Sequence, residues 1–282
     1  MLSELQRFGR KLIDDLRLPR PARAERGRDR LGLTWEDPGT DAVESAALRW
    51  LCAAQDYSTT QDGGASRHFS LVTGWAASYP ETSGYIVATL IEAGLRRHDP
   101  LLLERARRMA DWLRDIQYSD GAFQGGVIGA DPKVPVTFNT GQILMGMAAA
   151  ARHLGDKYAA PMHSAATWLV ETIDDDGCWR RFPTPFAVPG EKTYETHVAF
   201  GLIEAARSSR DGATARRYAD VALRNARWAI TKQRANGWFD GCCLQLPATP
   251  LTHTIGYALR GLTEIFLYTR DDNVFTASLR TA

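Results

Sequence analysis

Two histidines and a tyrosine stand near the beginnings of apolar runs in the C-terminal half of the chain. His197 closely follows Tyr194 and Glu195, and His253 lies one helical turn before Tyr257. A histidine titrates near neutral pH and can act as a general base, while a tyrosine hydroxyl can donate a proton. These residue types indicate proton-transfer chemistry, with His197 or His253 as the base, Tyr257 as the donor, and Tyr194 beside them.

Two glutamates occupy comparable positions at the beginnings of other apolar runs. Glu81 stands at the first run and Glu195 at the third. Two carboxyl groups facing one ligand can hydrolyse a glycosidic bond, one as the acid and the other as the base or nucleophile. The sequence contains no HExxH, CxxC or GxSxG motif. It therefore predicts no bound metal, no cofactor and no serine nucleophile.

A repeat of about 60 residues supplies the elements that must position these groups. Trp50, Trp112, Trp168 and Trp228 are spaced by 62, 56 and 60 residues. Nine residues after each of the last three tryptophans stands a glycine, with Asp or Asn before it and an aromatic residue after it. In the first unit this glycine comes four residues later. Such self-similarity predicts a repeat architecture.

Each repeat contains two kinds of predicted helix. The first kind carries charges on one face, which is typical of an outer helix, and the second is apolar on nearly every side, which is typical of a buried one. The predicted outer helices are 42–54, 101–117, 158–173 and 214–233, and the predicted inner helices are 84–94, 141–151, 197–206 and 255–266. The pattern predicts an all-α protein, an α/α toroid of four to five helical hairpins over residues 41–282.

The loops of the repeat differ in length. From each repeat glycine to the next inner helix run about 15 to 19 residues, whereas the return connections are much shorter. Loops longer than about 12–15 residues are usually functional. We therefore expect the site at the N-termini of the inner helices, where helix dipoles favour anionic ligands. Asn139, which precedes Thr140, is expected to cap the second inner helix.

Aromatic and basic residues are concentrated in these long loops and at the helix starts. Sugar rings stack on aromatic faces, and arginine binds carboxylates. The candidate binding residues for an acidic saccharide are Arg67, His68, Trp75, Tyr79, Tyr85, Asn139, Arg180, Arg181 and Trp238.

Composition and charge exclude several classes. A net charge of +1 gives no argument for nucleic acid, since the loops lack the basic density that tracks a phosphate backbone. No apolar run reaches 18 residues, and no signal-peptide core is present, so we expect a cytoplasmic protein. The four cysteines show no CxxC spacing and are expected to be thiols.

The N-terminal segment 1–40 is expected to lie outside the repeats. Residues 2–16 have the apolar spacing of an amphipathic helix, and residues 19–30 are Arg-rich with two prolines, which indicates a tether or arm. Residues 1–30 hold nine Lys or Arg against five Asp or Glu. One interpretation is a helix laid over the toroid. The other is a peripheral contact with a protein or with the inner membrane.

Residues 117–123, Gln-Tyr-Ser-Asp-Gly-Ala-Phe, resemble the QW-type repeats of the terpenoid-cyclase and prenyltransferase toroids. The inner-helix starts at 79–85, 138–142 and 251–257 resemble toroid proteins of bacterial exopolysaccharide gene clusters. They are also similar in kind to α/α-toroid polysaccharide lyases and to the C-terminal domain of glucuronyl C5-epimerases. In those lyases an Asn, a His, a Tyr and often an Arg serve the site. By residue type the resemblance implies Asn139, His197 or His253, Tyr257 and Arg67.

The expected function is therefore that of a lyase or C5-epimerase acting on a uronate-containing saccharide, free or lipid-linked, in surface polysaccharide metabolism. Arg67 or Arg180, with Asn139, would neutralise the uronate. Three alternatives stay open: a glycoside hydrolase using Glu81 and Glu195, a terpenoid cyclase, and a non-catalytic saccharide-binding toroid. Squalene-type cyclases need a DxDD motif, and here the Asp run 174–176 stands in the repeat turn, in another register.

Overall fold

The computed structural model describes residues 13, 16–32, 36–129, 131, 133–185, 187–246 and 251–282. The described part contains ten α-helices: α1 Arg20–Leu31, α2 Thr40–Asp56, α3 Pro80–Arg97, α4 Pro100–Asp115, α5 Thr137–His153, α6 Ala159–Thr172, α7 Thr196–Ser208, α8 Gly212–Ile230, α9 Thr252–Thr269 and α10 Asp272–Thr281. Short 3-10 turns precede α6 and α7, at Asp156–Tyr158 and Thr193–Glu195. A small antiparallel hairpin, β1 Phe69–Ser70 and β2 Gly74–Trp75, lies in the first long loop.

The helices form two layers. In the inner layer α3 packs on α5, α5 on α7, and α7 on α9, while α4, α6, α8 and α10 lie outside them. Helix α5 is buried along almost its whole length, as its uniformly small and apolar sequence predicts. The predicted α/α toroid is confirmed. The inner helices extend beyond the predicted runs, because their polar first turns are also helical, whereas α4, α6 and α8 end one to three residues before the predicted bounds.

Glycines let the inner helices approach each other closely. A Cβ atom added to Gly201 of α7 would lie 2.5 Å from the carbonyl oxygen of Gly141 in α5. One added to Gly141 would lie 2.7 Å from Cγ1 of Val198. The small residues of the inner runs therefore bring the helix backbones together, which narrows the lumen.

The glutamine of the repeat joins each turn to the outer helix of the next unit. Gln117 Nε2 donates to the carbonyl oxygens of Gly121, in its own turn, and of Pro161 in α6, both at 2.9 Å. The equivalent bonds run from Gln55 to Gly63 and Arg105, and from Gln233 to Gly237 and Ala277. In the third unit Ile173 replaces the glutamine, and Asn225 of α8 donates to Gly177 at 2.8 Å instead. The motif thus serves packing.

The acidic residue and glycine of the motif build the turn itself. Asp120 Oδ1 accepts from the backbone N–H of Ala122 at 3.0 Å, and Asp62, Asp176 and Asn236 make the same bond in the other units. Gly121 has φ +98°, and a Cβ atom there would lie 2.3 Å from the carbonyl oxygen of Ser164 in α6. Only glycine allows both this backbone angle and this approach.

The four repeat tryptophans all lie on outer helices, as predicted, but they are not equally buried. Trp112, Trp168 and Trp228 are 5–7% exposed, whereas Trp50 is 53% exposed. The ring of Trp50 packs on Trp75 of the β-hairpin, with centroids 4.7 Å apart. The first unit therefore departs from the other repeats at its long loop, where the repeat glycine also comes four residues later.

The expected capping of the inner helices is wrong. Helix α5 begins at Thr137, so Asn139 lies inside its first turn, and no inner helix has a side-chain cap bond. Buried hydroxyls hold the helix starts instead: Thr140 Oγ1 donates to the carbonyl of Val136 and accepts from the backbone N–H of Phe123.

The N-terminal segment is described only in part. The Arg-rich segment 19–30, interpreted as a tether or arm, is helical from Arg20 onward and forms most of α1, in which no residue is buried. The predicted amphipathic helix 2–16 lies almost entirely outside the described residues. No helix in the described ranges is long and apolar enough to cross a membrane.

Candidate functional site

His197 lies at the start of α7 and is 7% exposed. Its Nδ1 atom is 2.7 Å from Oε1 of Gln142 in α5. Because an amide oxygen only accepts hydrogen bonds, Nδ1 carries the proton and Nε2 keeps its lone pair. Burial lowers the pKa of His197 to about 4, and the positive charge of Arg260 adds to this effect. The imidazole is therefore neutral at neutral pH and can accept a proton on Nε2.

Two tyrosines from the first and last inner helices meet beside His197. The ring of Tyr257 lies 4.7 Å from the imidazole, and that of Tyr85 lies 6.2 Å away. The hydroxyl of Tyr85 donates to that of Tyr257 at 3.4 Å, which links α3 to α9 across the lumen. Burial raises the pKa of both tyrosines, so both hydroxyls hold their protons at neutral pH.

The second predicted histidine has a different environment. His253 is exposed, and its ring stands edge-on to Tyr257 at 5.9 Å. The structure therefore brings both histidines to Tyr257 but gives only His197 a buried position and a fixed tautomer.

Glu81 lies one turn before Tyr85 on α3. Its Oε2 atom accepts from the hydroxyl of Tyr79 at 2.8 Å. Burial raises the pKa of Glu81, although Tyr79 and the charge of Arg67 act in the opposite direction. The guanidinium of Arg67 lies 5.4 Å from the centre of the Tyr79 ring. Arg67, Tyr79 and Glu81 thus form one group at the N-terminal mouth.

Glu195 is more deeply buried than Glu81. It is 5% exposed, and burial raises its pKa well above the ordinary value, opposed by the charge of Lys192. Its neighbour Tyr194 is 2% exposed and packs edge-on to Phe138 at 5.4 Å. Burial therefore favours the protonated form of Glu195.

Four buried polar atoms near the mouth have no hydrogen-bond partner among the described residues: Asn139 Nδ2, Gln142 Nε2, the Tyr194 hydroxyl and Glu195 Oε2. Asn139 and Gln142 are three residues apart on α5 and share a face. An unpaired buried polar group costs about 1–3 kcal/mol. Several of them at one place are expected where a polar ligand completes the bonding.

Two predicted binding residues of the first loop have other contacts. Trp75 packs on Trp50 and Phe69, at 4.7 and 5.0 Å between centroids. His68 is exposed, and its carbonyl group accepts from Ser66 within the loop. These residues contact the outer helix α2 and the hairpin rather than the cluster around His197.

The predicted basic residues of the third loop are engaged in ion pairs. Arg180 binds Asp174, Asp176 and Glu191 at 2.7–3.0 Å, which raises its pKa. Arg181 donates to the carbonyl group of Glu171 at 3.1 Å. Asp174 and Asp176, which belong to the acidic run considered for the terpenoid-cyclase alternative, thus form ion pairs with Arg180.

Trp238 belongs to the fourth repeat turn. It is half-buried, and its backbone N–H donates to Asn236 Oδ1 at 3.2 Å. The turn fixes its backbone, while its ring packs against the core.

A cavity of about 510 Å³ opens between the C-terminal halves of the inner helices. His197 and Tyr85 line its inner end, and its charged lining residues are Glu92, Glu204, Arg207, Arg260 and Glu264. The loop lengths predicted a site at the opposite end, and sequence reasoning missed this cavity. Its residues form no motif. The available signal was helical spacing, as in Glu204 within the apolar run 197–206 and Arg207 directly after it.

Gln142 was also missed as a functional residue. The signal was its position three residues after Asn139, on the same helical face. Metal binding has no support in the described ranges, which contain no group of three or more His, Cys, Asp or Glu residues placed to hold an ion.

No protein-family model matches the chain, and no curated protein matches it significantly in sequence. Solved structures do match. A sugar epimerase from a ruminal bacterium is 10% identical with a TM-score of 0.68, covering 86% of this chain and 69% of that one. An unsaturated glucuronyl hydrolase specific for heparin is 16% identical with a TM-score of 0.66, covering 86% and 65%.

A third structure, cellobiose 2-epimerase from Bacillus thermoamylovorans, is 12% identical with a TM-score of 0.65, covering 84% and 67%. The chain is an α/α toroid. At these identities the likeness shows the fold alone, and the toroid spans about two thirds of the length of those proteins.

Proposed function

We propose that this protein is a carbohydrate-active enzyme that removes the proton next to the carboxylate of a uronate-containing saccharide. The observation that carries the proposal is the buried His197–Gln142 pair, which presents a neutral Nε2 atom beside Tyr257. The unpartnered amide groups of Asn139 and Gln142 support a ligand rich in hydroxyl groups. The names of the similar structures, two sugar epimerases and a glucuronyl hydrolase, support a saccharide.

In this mechanism His197 Nε2 takes the proton from C5 of the uronate. The electron pair moves toward the carboxylate, where a cation and the N–H groups of Asn139 and Gln142 stabilise the charge. In elimination the C4–O bond then breaks, a C4=C5 double bond forms, and Tyr257 protonates the leaving oxygen. In epimerisation Tyr257 instead donates its proton to the opposite face of C5.

The two arginines predicted to hold the uronate differ in their contacts. Arg67 lies over Tyr79 at the mouth, whereas Arg180 is held by three carboxylates. A uronate at Arg180 would have to displace one of these partners.

A glycoside hydrolase is the second candidate, because burial raises the pKa of Glu81 and favours its protonated, acidic form. Hydrolysis by a carboxyl pair also needs an ionised partner. Burial raises the pKa of Glu195 as well, which disfavours the ionised form that the second carboxyl group of the pair needs. The terpenoid-cyclase alternative is disfavoured by the buried, unpartnered polar atoms of the lumen, since a terpenoid cannot bond to them.

The test compares His197→Gln with Glu81→Gln and with His253→Gln as a matched control on the exposed histidine. We expect His197→Gln to lower turnover of an acidic glycan by about 10²–10⁴-fold, and His253→Gln to change it little. The glutamine introduced at 197 can still donate to Gln142, so the fold should survive. Tyr257→Phe should behave like His197→Gln.

The products identify the reaction. A lyase yields an ultraviolet-absorbing unsaturated uronate, an epimerase exchanges the C5 hydrogen with solvent deuterium, and a hydrolase releases reducing ends. Full activity in His197→Gln combined with its loss in Glu81→Gln would assign hydrolysis instead. Binding without any turnover would leave the saccharide-binding toroid, and failure to bind any acidic glycan would remove the saccharide assignment.

A further inference from the structure

A series of ion pairs, with alternating positive and negative side chains, crosses the C-terminal end of the lumen. Arg152 of α5 pairs with Glu204 of α7 at 2.8 Å, and Glu204 also pairs with Arg207. Arg207 pairs with Glu264 of α9 at 3.0 Å, and Glu264 pairs with Arg260 at 2.8 Å. An arginine stands at each end of this series, Arg152 at one and Arg260 at the other. Three guanidinium groups therefore share two carboxylates in this series of ion pairs, and the further carboxylate of Glu92 lines the same cavity.

Of the two arginines at the ends of this series, Arg260 is the one that lines the cavity. Its side chain is 61% exposed, compared with 29% for Arg207. Glu264 is its sole carboxylate partner in the part of the chain that the structure describes. The guanidinium group lies 5.4 Å from the centre of the Phe200 ring, which orients its plane. A guanidinium group has five N–H donors, so a second carboxylate can bind while Glu264 stays in place.

Arg260 and the proposed base His197 are placed to contact the same ligand. Both residues line the same cavity, with His197 at its inner end. The charge of Arg260 is felt at the imidazole, where it contributes to the lowered pKa. A ligand carboxylate held by Arg260 would thus lie in the same cavity as the proposed base.

We propose that Arg260 binds the carboxylate of the saccharide within this cavity and determines the preference for acidic over neutral sugars. The inference rests on the proposed function, which it deepens by assigning the cation of that mechanism to Arg260, in the cavity that His197 lines, instead of to Arg67 or Arg180. A cavity of about 510 Å³ falls within the usual range of 300–1,000 Å³ for small-ligand pockets.

Glu92 sets the orientation of the ligand. It lies on α3, lines the same cavity, and is in no ion pair with the described residues. A carboxylate there accepts hydrogen bonds from sugar hydroxyls and repels a second carboxylate. The acidic group of the sugar therefore points to Arg260 and its hydroxyls to Glu92.

The structure also allows Arg260 to be replaced without loss of the fold. Glu264 keeps Arg207 as a partner when Arg260 is removed. Arg270, at the end of the same helix, provides a matched control, since its guanidinium lies 5.8 Å from the Phe266 ring and it does not line the cavity.

The experiment titrates D-glucuronate and D-glucose into the full-length protein by calorimetry. We expect Arg260→Gln to weaken glucuronate binding by about 10- to 100-fold, as loss of a charge-assisted hydrogen-bond pair does, and to leave glucose binding unchanged. Arg270→Gln should bind both sugars like the wild type. Glu92→Gln should bind glucuronate at least as tightly as the wild type, because a like charge is removed.

A second readout follows the His197 imidazole by NMR. Arg260→Gln should raise its pKa, and bound glucuronate should raise the pKa in the wild type but not in the variant. Unchanged glucuronate binding in Arg260→Gln, with loss in Arg67→Gln, would overturn the inference and place the carboxylate at the mouth. Absence of glucuronate binding in the wild type would overturn it as well.

The two proposals fail separately. If Arg260→Gln weakens glucuronate binding but His197→Gln keeps full turnover, the cavity assignment stands and the proton-abstraction mechanism falls. If His197→Gln loses turnover while Arg260→Gln binds glucuronate and converts acidic glycans like the wild type, only the assignment of Arg260 falls.

Discussion

Adding one methyl group at Gly201 tests how closely the inner helices pack. The Cβ atom of Ala would lie 2.5 Å from the backbone carbonyl oxygen of Gly141, which α5 cannot move without shifting its neighbours. Overpacking of this kind costs about 1–3 kcal/mol. Alanine also gains about 1 kcal/mol over glycine in a helix interior. The net effect of Gly201→Ala should range from near zero to a loss of about 2 kcal/mol.

Gly256→Ala is the matched control. Gly256 lies on the inner helix α9, and a Cβ atom there meets nothing within 4 Å. This variant should gain about 1 kcal/mol from helix propensity alone. The difference between the two variants, about 1–3 kcal/mol, therefore isolates the close approach. Urea unfolding followed by far-ultraviolet circular dichroism measures both, and equal stabilisation by the two alanines would refute the packing described for α5 and α7.

Two further predictions concern the tryptophans and the buried histidine. Trp112→Ala should cost about 3–5 kcal/mol because Trp112 is 7% exposed, whereas Trp50→Ala should cost about 1 kcal/mol; similar urea midpoints for the two variants would contradict this. The folded-state pKa of His197, about 4, lies below the ordinary 6.5, so the unfolded chain binds the proton first as the pH falls. Wild-type stability should therefore fall between pH 6.5 and 4, by up to about 3 kcal/mol from this group, and His197→Gln should lose less over that range. Parallel stability curves for the two proteins would contradict the buried, neutral imidazole.

The layers of the toroid could be predicted because they depend on local patterns. An apolar face at helical spacing marks a buried helix wherever it occurs, and the recurring Asp-Gly turns divided the chain into units. The exposure of Trp50 was harder to predict, because its ring packs on the β-hairpin of the same unit. The sequence of that loop contains no clear hairpin signal.

The site was only partly predictable for the same reason. His197 and Tyr257 could be chosen as candidates because each lies near the start of an inner helix, and the structure brings their rings together. The partner of His197 is Gln142, 55 residues away, and the contact exists only because α5 and α7 lie side by side. The cavity with Arg260 requires four helices to be placed before any lining residue can be recognised.

The bonds of the repeat glutamines run in one direction along the chain. Gln55, Gln117 and Gln233 each reach a backbone carbonyl 44 to 50 residues later, in the outer helix of the following unit. During synthesis on the ribosome, a turn of this kind therefore remains open until the next outer helix has emerged. In a nearest-neighbour description of repeat folding, completion of each hairpin is delayed by one unit. Helix α10 supplies the acceptors Ala277 and Thr281 for Gln233 in the turn after α8. Proteolytic removal of α10 would therefore take away these hydrogen bonds and leave those of the upstream turns in place.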